Sequence, residues 1–264
     1  MVVFKSKGDT AANTTTTTDT TAPSESAAPK TTVLKPIETK VTPSQFDTSP
    51  IWESVAKSYD NEIGWDERVM GIGLLRRWLV SQAKGDVLEV STGTGRNFSY
   101  YKPESITSAT FTDRHPPMLE EAKHKFEKQP KPWNVEANFI TANVDDPKSM
   151  PQGFDTVVDT FGLCSCGDPV EALVSLADAC KSEDSRILLL EHGRSHYDWL
   201  NRLLDTNVDK HVTRWGCWWN RDMVGLLEDK RVKEKMEVVS MYRWHFGTTC
   251  YIVAKPKRSP TETK

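Results

Sequence analysis

Val87-Leu88-Glu89-Val90-Ser91-Thr92-Gly93-Thr94-Gly95-Arg96-Asn97 is the stretch that decides the fold. Val87, Leu88 and Val90 are the apolar residues of a short buried strand, and Glu89 sits at its end. Gly93 and Gly95 let the chain turn tightly and leave room for a ligand against the backbone, because neither carries a Cβ. A strand, then glycines, then a helix is how an open α/β sheet cradles a nucleotide at its carboxyl edge. The dinucleotide fingerprint G-x-G-x-x-G requires a third glycine. Phe98 occupies that position, so a pyrophosphate-binding dehydrogenase turn fits poorly.

Working outward, strands alternate with helices. Ser49-Pro50 reads as an N-cap with Pro at the first helical position, opening a helix to about residue 59. A longer helix is expected over about residues 67–84, with Gly85 stopping it. Further strands are expected at 87–91, 108–113, 135–142, 154–160 and 186–191, the last fully buried. Pro117 opens a helix with Met118, Ala122 and Phe126 on one face. Asp168-Pro169-Val170-Glu171 reads as a capping box starting a helix to about residue 181. Helical regions follow around 197–205 and from Asn220, and strands at 237–242 and 247–253 close the domain. The alternation predicts a doubly wound α/β fold with a mostly parallel sheet covered on both faces.

The 264 residues carry a net charge of -3, with acidic and basic residues interspersed. No long basic run is present, which disfavours a dedicated nucleic-acid binder. No apolar run is long enough to predict a transmembrane segment. Residues 1–46, including the run Thr14 to Thr18, are Thr-, Ser- and Pro-rich and are expected to be a disordered tail. The folded domain is expected at 47–256, with a flexible tail at 257–264. Asp9, Asp19 and Glu25, with few arginines nearby, make the start unlike a mitochondrial presequence, so a cytoplasmic location is expected, with mitochondria as the alternative. Five cysteines in such a chain predict free thiols.

The segment 89–95 resembles motif I of class I S-adenosylmethionine-dependent methyltransferases, D/E-x-G-x-G-x-G. Glu89, Gly93 and Gly95 match, and Ser91 stands where the family's first glycine usually is. The blocks Ser58-Tyr59-Asp60 through Trp65-Asp66-Glu67, Leu190-Glu191-His192-Gly193, Gly216-Cys217-Trp218-Trp219-Asn220-Arg221-Asp222 and His245-Phe246-Gly247-Thr248-Thr249 resemble a fungal methyltransferase-like family associated with mitochondria. More distantly, the chain is similar to small-molecule thiol methyltransferases and quinone C-methyltransferases.

The resemblance implies a Rossmann-like seven-stranded sheet with an antiparallel final strand, and S-adenosylmethionine as cofactor. It implies that Asp113, ending the second strand, accepts the ribose hydroxyls. Asn143, Val144 and Asp145 fall where the adenine edge is read, with the choice between Asn143 and Asp145 open. Thr160 and Phe161 fall beside the methionine part, where Gly93 and Gly95 are expected to offer backbone amides. Arg114 and Met118 are candidates to flank the adenine, and Tyr59 to cover the cofactor.

Methyl transfer is an in-line displacement in which positioning supplies much of the rate. A base is needed only when the acceptor carries a proton. His192, after the fifth strand, is the candidate base, with His245 a weaker one. Trp199, Trp215, Trp218, Trp219 and Trp244 are candidates for an apolar substrate pocket, a membrane-touching surface or ordinary core. No metal site is expected: Cys164-Ser165-Cys166 lacks the spacing of a zinc site, and Cys217 and His245 are distant in sequence. The function expected is methyl transfer to a small, fairly apolar thiol, phenol or quinone-type acceptor, with protein partners unknown. The alternatives are a non-catalytic scaffold on the same fold, and RNA or protein methylation.

Overall fold

The computed structural model describes residues 46–130 and 133–258. The expected tails therefore lie outside the described residues, apart from Phe46, Lys257 and Arg258. Phe46 packs edge-on against Trp218, and the Lys257 amide donates to the Lys235 carbonyl at 2.7 Å.

The strands are β1 (Gly85–Val90), β2 (Ile106–Asp113), β3 (Glu136–Thr141), β4 (Thr156–Thr160), β5 (Arg186–His192), β6 (Met236–Trp244) and β7 (Thr249–Pro256). The helices are α1 (Ser49–Val55), α2 (Tyr59–Val69), α3 (Ile72–Val80), α4 (Pro116–Glu127), α5 (Pro169–Ala179), α6 (Asp198–Trp215), α7 (Met223–Glu228) and α8 (Lys230–Lys235). The sheet runs β3-β2-β1-β4-β5-β7-β6. β1 to β5 pair in parallel and β7 is antiparallel to both neighbours.

Successive strand residues point to opposite faces, and here both faces are buried. Leu88, Val157, Ile187 and Leu189 join the core against α5 and α7, while Val87, Val158, Leu188 and Leu190 join the core against α3 and α4. Each fully buried Leu or Ile contributes about 2 kcal/mol relative to exposure. That two-sided burial is why residues 187–190 are continuously apolar rather than alternating.

The expected helix over 67–84 is two helices. Gly71 adopts φ +67 between α2 and α3, a left-handed conformation that glycine takes at little cost. The first helix likewise ends at Val55, and Tyr59 begins α2. The predicted capping box is half formed. Asp168 accepts from the amides of Val170 and Glu171 at 3.0 Å, but the Glu171 carboxylate pairs with Arg231 on α8. The helix expected from Asn220 starts at Met223, and that around 197–205 continues to Trp215, where Gly216 (φ +61) caps it.

The chain builds β1, β2 and β3 outward to one side, then returns to place β4 on the other side of β1. Ligands in open α/β sheets bind beyond the carboxyl ends of the strands at such a reversal. The loops after β1 and β4 meet there.

Candidate functional site

The turn after β1 is tied to β2. The Gly93 amide donates to Asp113 Oδ2 at 2.8 Å, and the Thr92 amide donates to the Thr112 carbonyl at 2.9 Å. Asp113 Oδ1 accepts the His115 amide at 2.9 Å and lies 3.0 Å from His115 Nδ1. A carboxylate has about four acceptor positions, so Asp113 retains capacity for a ligand's hydroxyls.

Gly95 (φ +74) is required by space as well as by dihedral, because a Cβ there would lie 2.1 Å from the Phe98 ring. Its amide closes the turn onto the Thr92 carbonyl at 3.0 Å. The amides of Gly93 and Gly95 are thus both used internally, contrary to the expectation that they face the cofactor. Ser91 holds φ +48 and Phe161 φ +62, costly conformations for residues with a side chain. Gly162 lets their loops approach: a Cβ on it would fall 2.2 Å from Asp159 Oδ1 and 2.4 Å from Ser91 Oγ.

These loops and the N-terminal helices line a cavity that opens to solvent. Of the candidate cofactor residues, Tyr59, Ser91, Gly93, Asp113, Arg114, Met118, Asn143, Val144, Thr160 and Phe161 line it. The other expected residues are placed elsewhere. Gly95 lies under the turn. Asp145 accepts the amides of Gly167 and Asp168 at 2.8 and 3.0 Å, which anchors the loop before α5. Of the pair left open, Asn143 lines the cavity and Asp145 does not, although both have a buried Oδ1 with no protein partner.

Glu89 is also behind the wall. It accepts from Tyr101 Oη at 2.6 Å and Asn97 Nδ2 at 3.1 Å, bracing the turn instead of touching the cavity. Burial pushes its carboxyl up to about 7, against the pull of those two bonds. Asp159 is raised to about 8 by burial and by the nearby charge of Glu89. Glu191 is pushed well above the ordinary range by burial and then by Asp159. Its carboxylate oxygens accept the Gly162 and Cys164 amides, each at 3.2 Å. Three carboxyl groups thus sit beneath the loops after β1, β4 and β5.

His192 is not on the cavity wall. Its ring packs against Phe161 at 4.5 Å between centroids, and its Nδ1 faces the sulfurs of Cys217 and Cys164 at 3.4 and 3.7 Å. This placement does not support the base expected there. Cys164 is raised well above its ordinary range by its hydrogen bond with Cys217 and by burial. His245 bonds Thr249 Oγ1 and the Met70 carbonyl, so it too is held outside the cavity.

Sequence reasoning missed a polar network that closes the N-terminal side. Arg76 Nη1 donates to Asn97 Oδ1 at 2.9 Å and Thr160 Oγ1 at 2.7 Å, and Nη2 donates to Glu67 Oε1 at 2.8 Å. Arg96 binds Glu67 Oε2 at 2.6 Å and Asp60 Oδ1 at 3.0 Å, and Thr94 Oγ1 donates to that same Asp60 oxygen. Burial raises the Glu67 carboxyl, but Arg76 and Arg96 more than offset it and hold the group below its usual range. The available signal was an arginine pair, Arg76-Arg77, inside an apolar helix. Trp52 was missed as well; it lines the cavity and meets Tyr59 edge-on at 5.6 Å.

The tryptophans singled out from the sequence do not form this pocket. Trp218 is core, Trp219 stacks on His211, and Trp199 and Trp244 are 63% and 44% exposed.

A family model described as a methyltransferase domain matches residues 88–183, which span the glycine turn, Asp113 and the loops after β3 and β4. The chain carries a methyltransferase domain. It is 40% identical over 224 residues to the mitochondrial methyltransferase OMS1 of Saccharomyces cerevisiae, covering 80% of this chain and 46% of that protein. It is 28% identical over 152 residues to the ubiquinone/menaquinone biosynthesis C-methyltransferase UbiE of Bdellovibrio bacteriovorus, covering 54% of this chain and 61% of that one. The chain therefore spans about half to three-fifths of the length of these relatives. Its fold matches that of DhpI, solved in complex with S-adenosylhomocysteine, with a TM-score of 0.57 at 16% identity over 80% of this chain and 96% of that one. No helix among the described residues is long and apolar enough to cross a membrane.

Proposed function

We propose that the protein transfers a methyl group from S-adenosylmethionine to a small, fairly apolar acceptor of the thiol, phenol or quinone type. The observation that carries this reading is the joining of Asp113 to the Gly93 turn on one cavity wall at the sheet's reversal point. When bound, S-adenosylmethionine supplies an electrophilic methyl group on a sulfonium.

The chain's own residues fit that group. Asp113 is placed to accept two neighbouring hydroxyls while its Gly93 and His115 bonds keep it still. Asn143 Oδ1, buried without a partner, needs a donor, and an adenine amino group supplies one. Val144 and Met118 offer apolar surface beside it, and Arg114 offers a planar cation. Thr160 and Phe161 border the opposite part of the cavity, where the methionine portion belongs. Trp52, Tyr59 and Phe161 give the cavity an aromatic lining suited to an apolar acceptor and to excluding water.

No histidine base faces the cavity other than His115, which is tied to Asp113. This favours an acceptor that ionises readily, such as a thiol or acidic phenol, because positioning then suffices. The quinone-pathway relative supports the apolar acceptor, and the mitochondrial relative favours a mitochondrial setting over the cytoplasmic one expected from N-terminal composition.

The test is incubation with methyl-labelled cofactor and a panel of thiols, phenols and quinones. Label transferred to one of these classes supports the reading. Cofactor binding with no transfer to any acceptor supports a scaffold on the same fold, and transfer only to RNA or protein overturns the small-molecule reading.

A further inference from the structure

Behind Phe161, three side chains distant in sequence converge. Cys164 follows β4, His192 ends β5, and Cys217 follows the Gly216 cap of α6. Cys164 Sγ and Cys217 Sγ are 3.2 Å apart, and His192 Nδ1 lies 3.4 Å from Cys217 Sγ and 3.7 Å from Cys164 Sγ. Among the described residues, these three form the one such cluster whose ligand atoms all lie within 4.8 Å of one another.

A tetrahedral zinc with bonds of about 2.3 Å to sulfur and about 2.0 Å to nitrogen has sulfur–nitrogen edges of about 3.5 Å and a sulfur–sulfur edge of about 3.8 Å. The two sulfur–nitrogen distances bracket that edge, and the sulfurs need to part by only about 0.6 Å. A disulfide would instead require them to close to about 2.05 Å and would use no nitrogen. Cys166, Cys180 and Cys250 lie outside the cluster and each point at a backbone carbonyl three or four residues away, whereas Cys164, which also contacts the Phe161 carbonyl at 3.3 Å, faces Cys217 and His192 as well.

The surrounding structure fixes the three groups. The Cys164 amide donates to Glu191, the residue before His192. The Trp218 amide, next to Cys217, donates to the Cys164 carbonyl at 2.8 Å. Gly216 sets the direction of Cys217, since a Cβ on Gly216 would strike Trp52 at 2.5 Å. The same backbone bonds that close the fold thus hold two thiols and an imidazole at ligand spacing.

We propose that Cys164, His192 and Cys217 bind one zinc ion. Three protein ligands are the number found in zinc sites that leave a fourth position to water or another small ligand. The site is one ring away from the cofactor cavity: Phe161 touches His192, and Ser165, 3.7 Å from Cys164 Sγ, lines the cavity. Zinc there would rigidify the Phe161 loop whatever the methyl acceptor is, so the proposal stands independently of the acceptor.

The test uses the full chain, reduced and stripped of metal, titrated with zinc against a chromophoric chelator and separately with cobalt(II). The expected result is one zinc per chain and cobalt spectra with intense sulfur-to-metal charge-transfer bands. Cys164→Ser and Cys217→Ser should each weaken binding by roughly a hundredfold or more, while Cys180→Ser leaves it unchanged. Circular dichroism reports whether each variant is folded, and the wild-type stoichiometry stands without the variants. A reduced wild-type chain that takes up no zinc overturns the proposal. So does binding that persists in both folded Cys164 and Cys217 variants, or a Cys164–Cys217 disulfide as the sole product of oxidation in a chain that binds no metal when reduced.

Discussion

The carboxylate of Asp113 and the amide of Gly93 are joined at 2.8 Å, so the end of β2 and the turn after β1 act as one unit. Neither position is informative alone: an acidic residue at a strand end is commonplace, and so is a glycine in a turn. Their contact makes a rigid corner in the cavity wall, with free acceptor capacity on the carboxylate.

Replacing Asp113 by Asn keeps the shape and removes the charge and one acceptor oxygen. Cofactor affinity is expected to fall by about 1.5–3 kcal/mol, the range for a hydrogen bond to a charged group. Calorimetric titration of the folded variant measures this. Unchanged affinity would show that the carboxylate does not hold the ligand.

Gly162→Ala inserts a methyl group 2.2 Å from Asp159 Oδ1 and 2.4 Å from Ser91 Oγ. The loops after β1 and β4 must separate to admit it. A stability loss of about 1–3 kcal/mol in urea denaturation is expected, as for overpacking elsewhere. A variant as stable as the parent would mean that the loops yield freely.

Glu89 carries a pH signature. Its carboxyl is raised from 4.5 unfolded to about 7 folded, chiefly by burial. Stability from this group is fully present below pH 4.5 and is lost as pH rises through about 7. A shift of that size corresponds to about 3 kcal/mol. Between pH 5 and pH 7, Glu89→Gln should therefore lose less stability per pH unit than the parent, by roughly 1 kcal/mol. Equal slopes in denaturation series across that range would contradict the assignment.

Arg76→Met leaves Asn97 Oδ1 without its arginine donor, Thr160 Oγ1 with Asn97 Nδ2, and Glu67 with Arg96 alone. Removing one partner of a buried ion pair costs about 3 kcal/mol or more. Glu67→Leu combined with Arg76→Met should cost less than the two single changes added together, because the lost interaction is then counted once. A double-mutant cycle in urea tests this, and strict additivity would show that the pair is not coupled.

The sheet was legible because its evidence is local. Residues 187–190 announce a strand buried on both faces, and the glycine turn announces the ligand edge. Asp168 is read correctly as a cap because its two acceptor bonds reach only to Val170 and Glu171. The helix break at Gly71 was hidden by an apolar stripe that continues through it. Asp145 resembled a ligand-binding residue until the loop before α5 supplied two amides for it to accept. The Glu67–Arg96 pair and the Cys164–His192–Cys217 cluster join residues 29 and up to 53 positions apart; no pattern of period 2 or 3.6 carries information at that range.

The most direct measurement is isothermal titration of the full chain with S-adenosylhomocysteine, followed by S-adenosylmethionine. Saturable binding of both is expected, one molecule per chain, with each competing for the same site. No binding heat from either ligand at high micromolar concentration, on a chain shown to be folded, would contradict it.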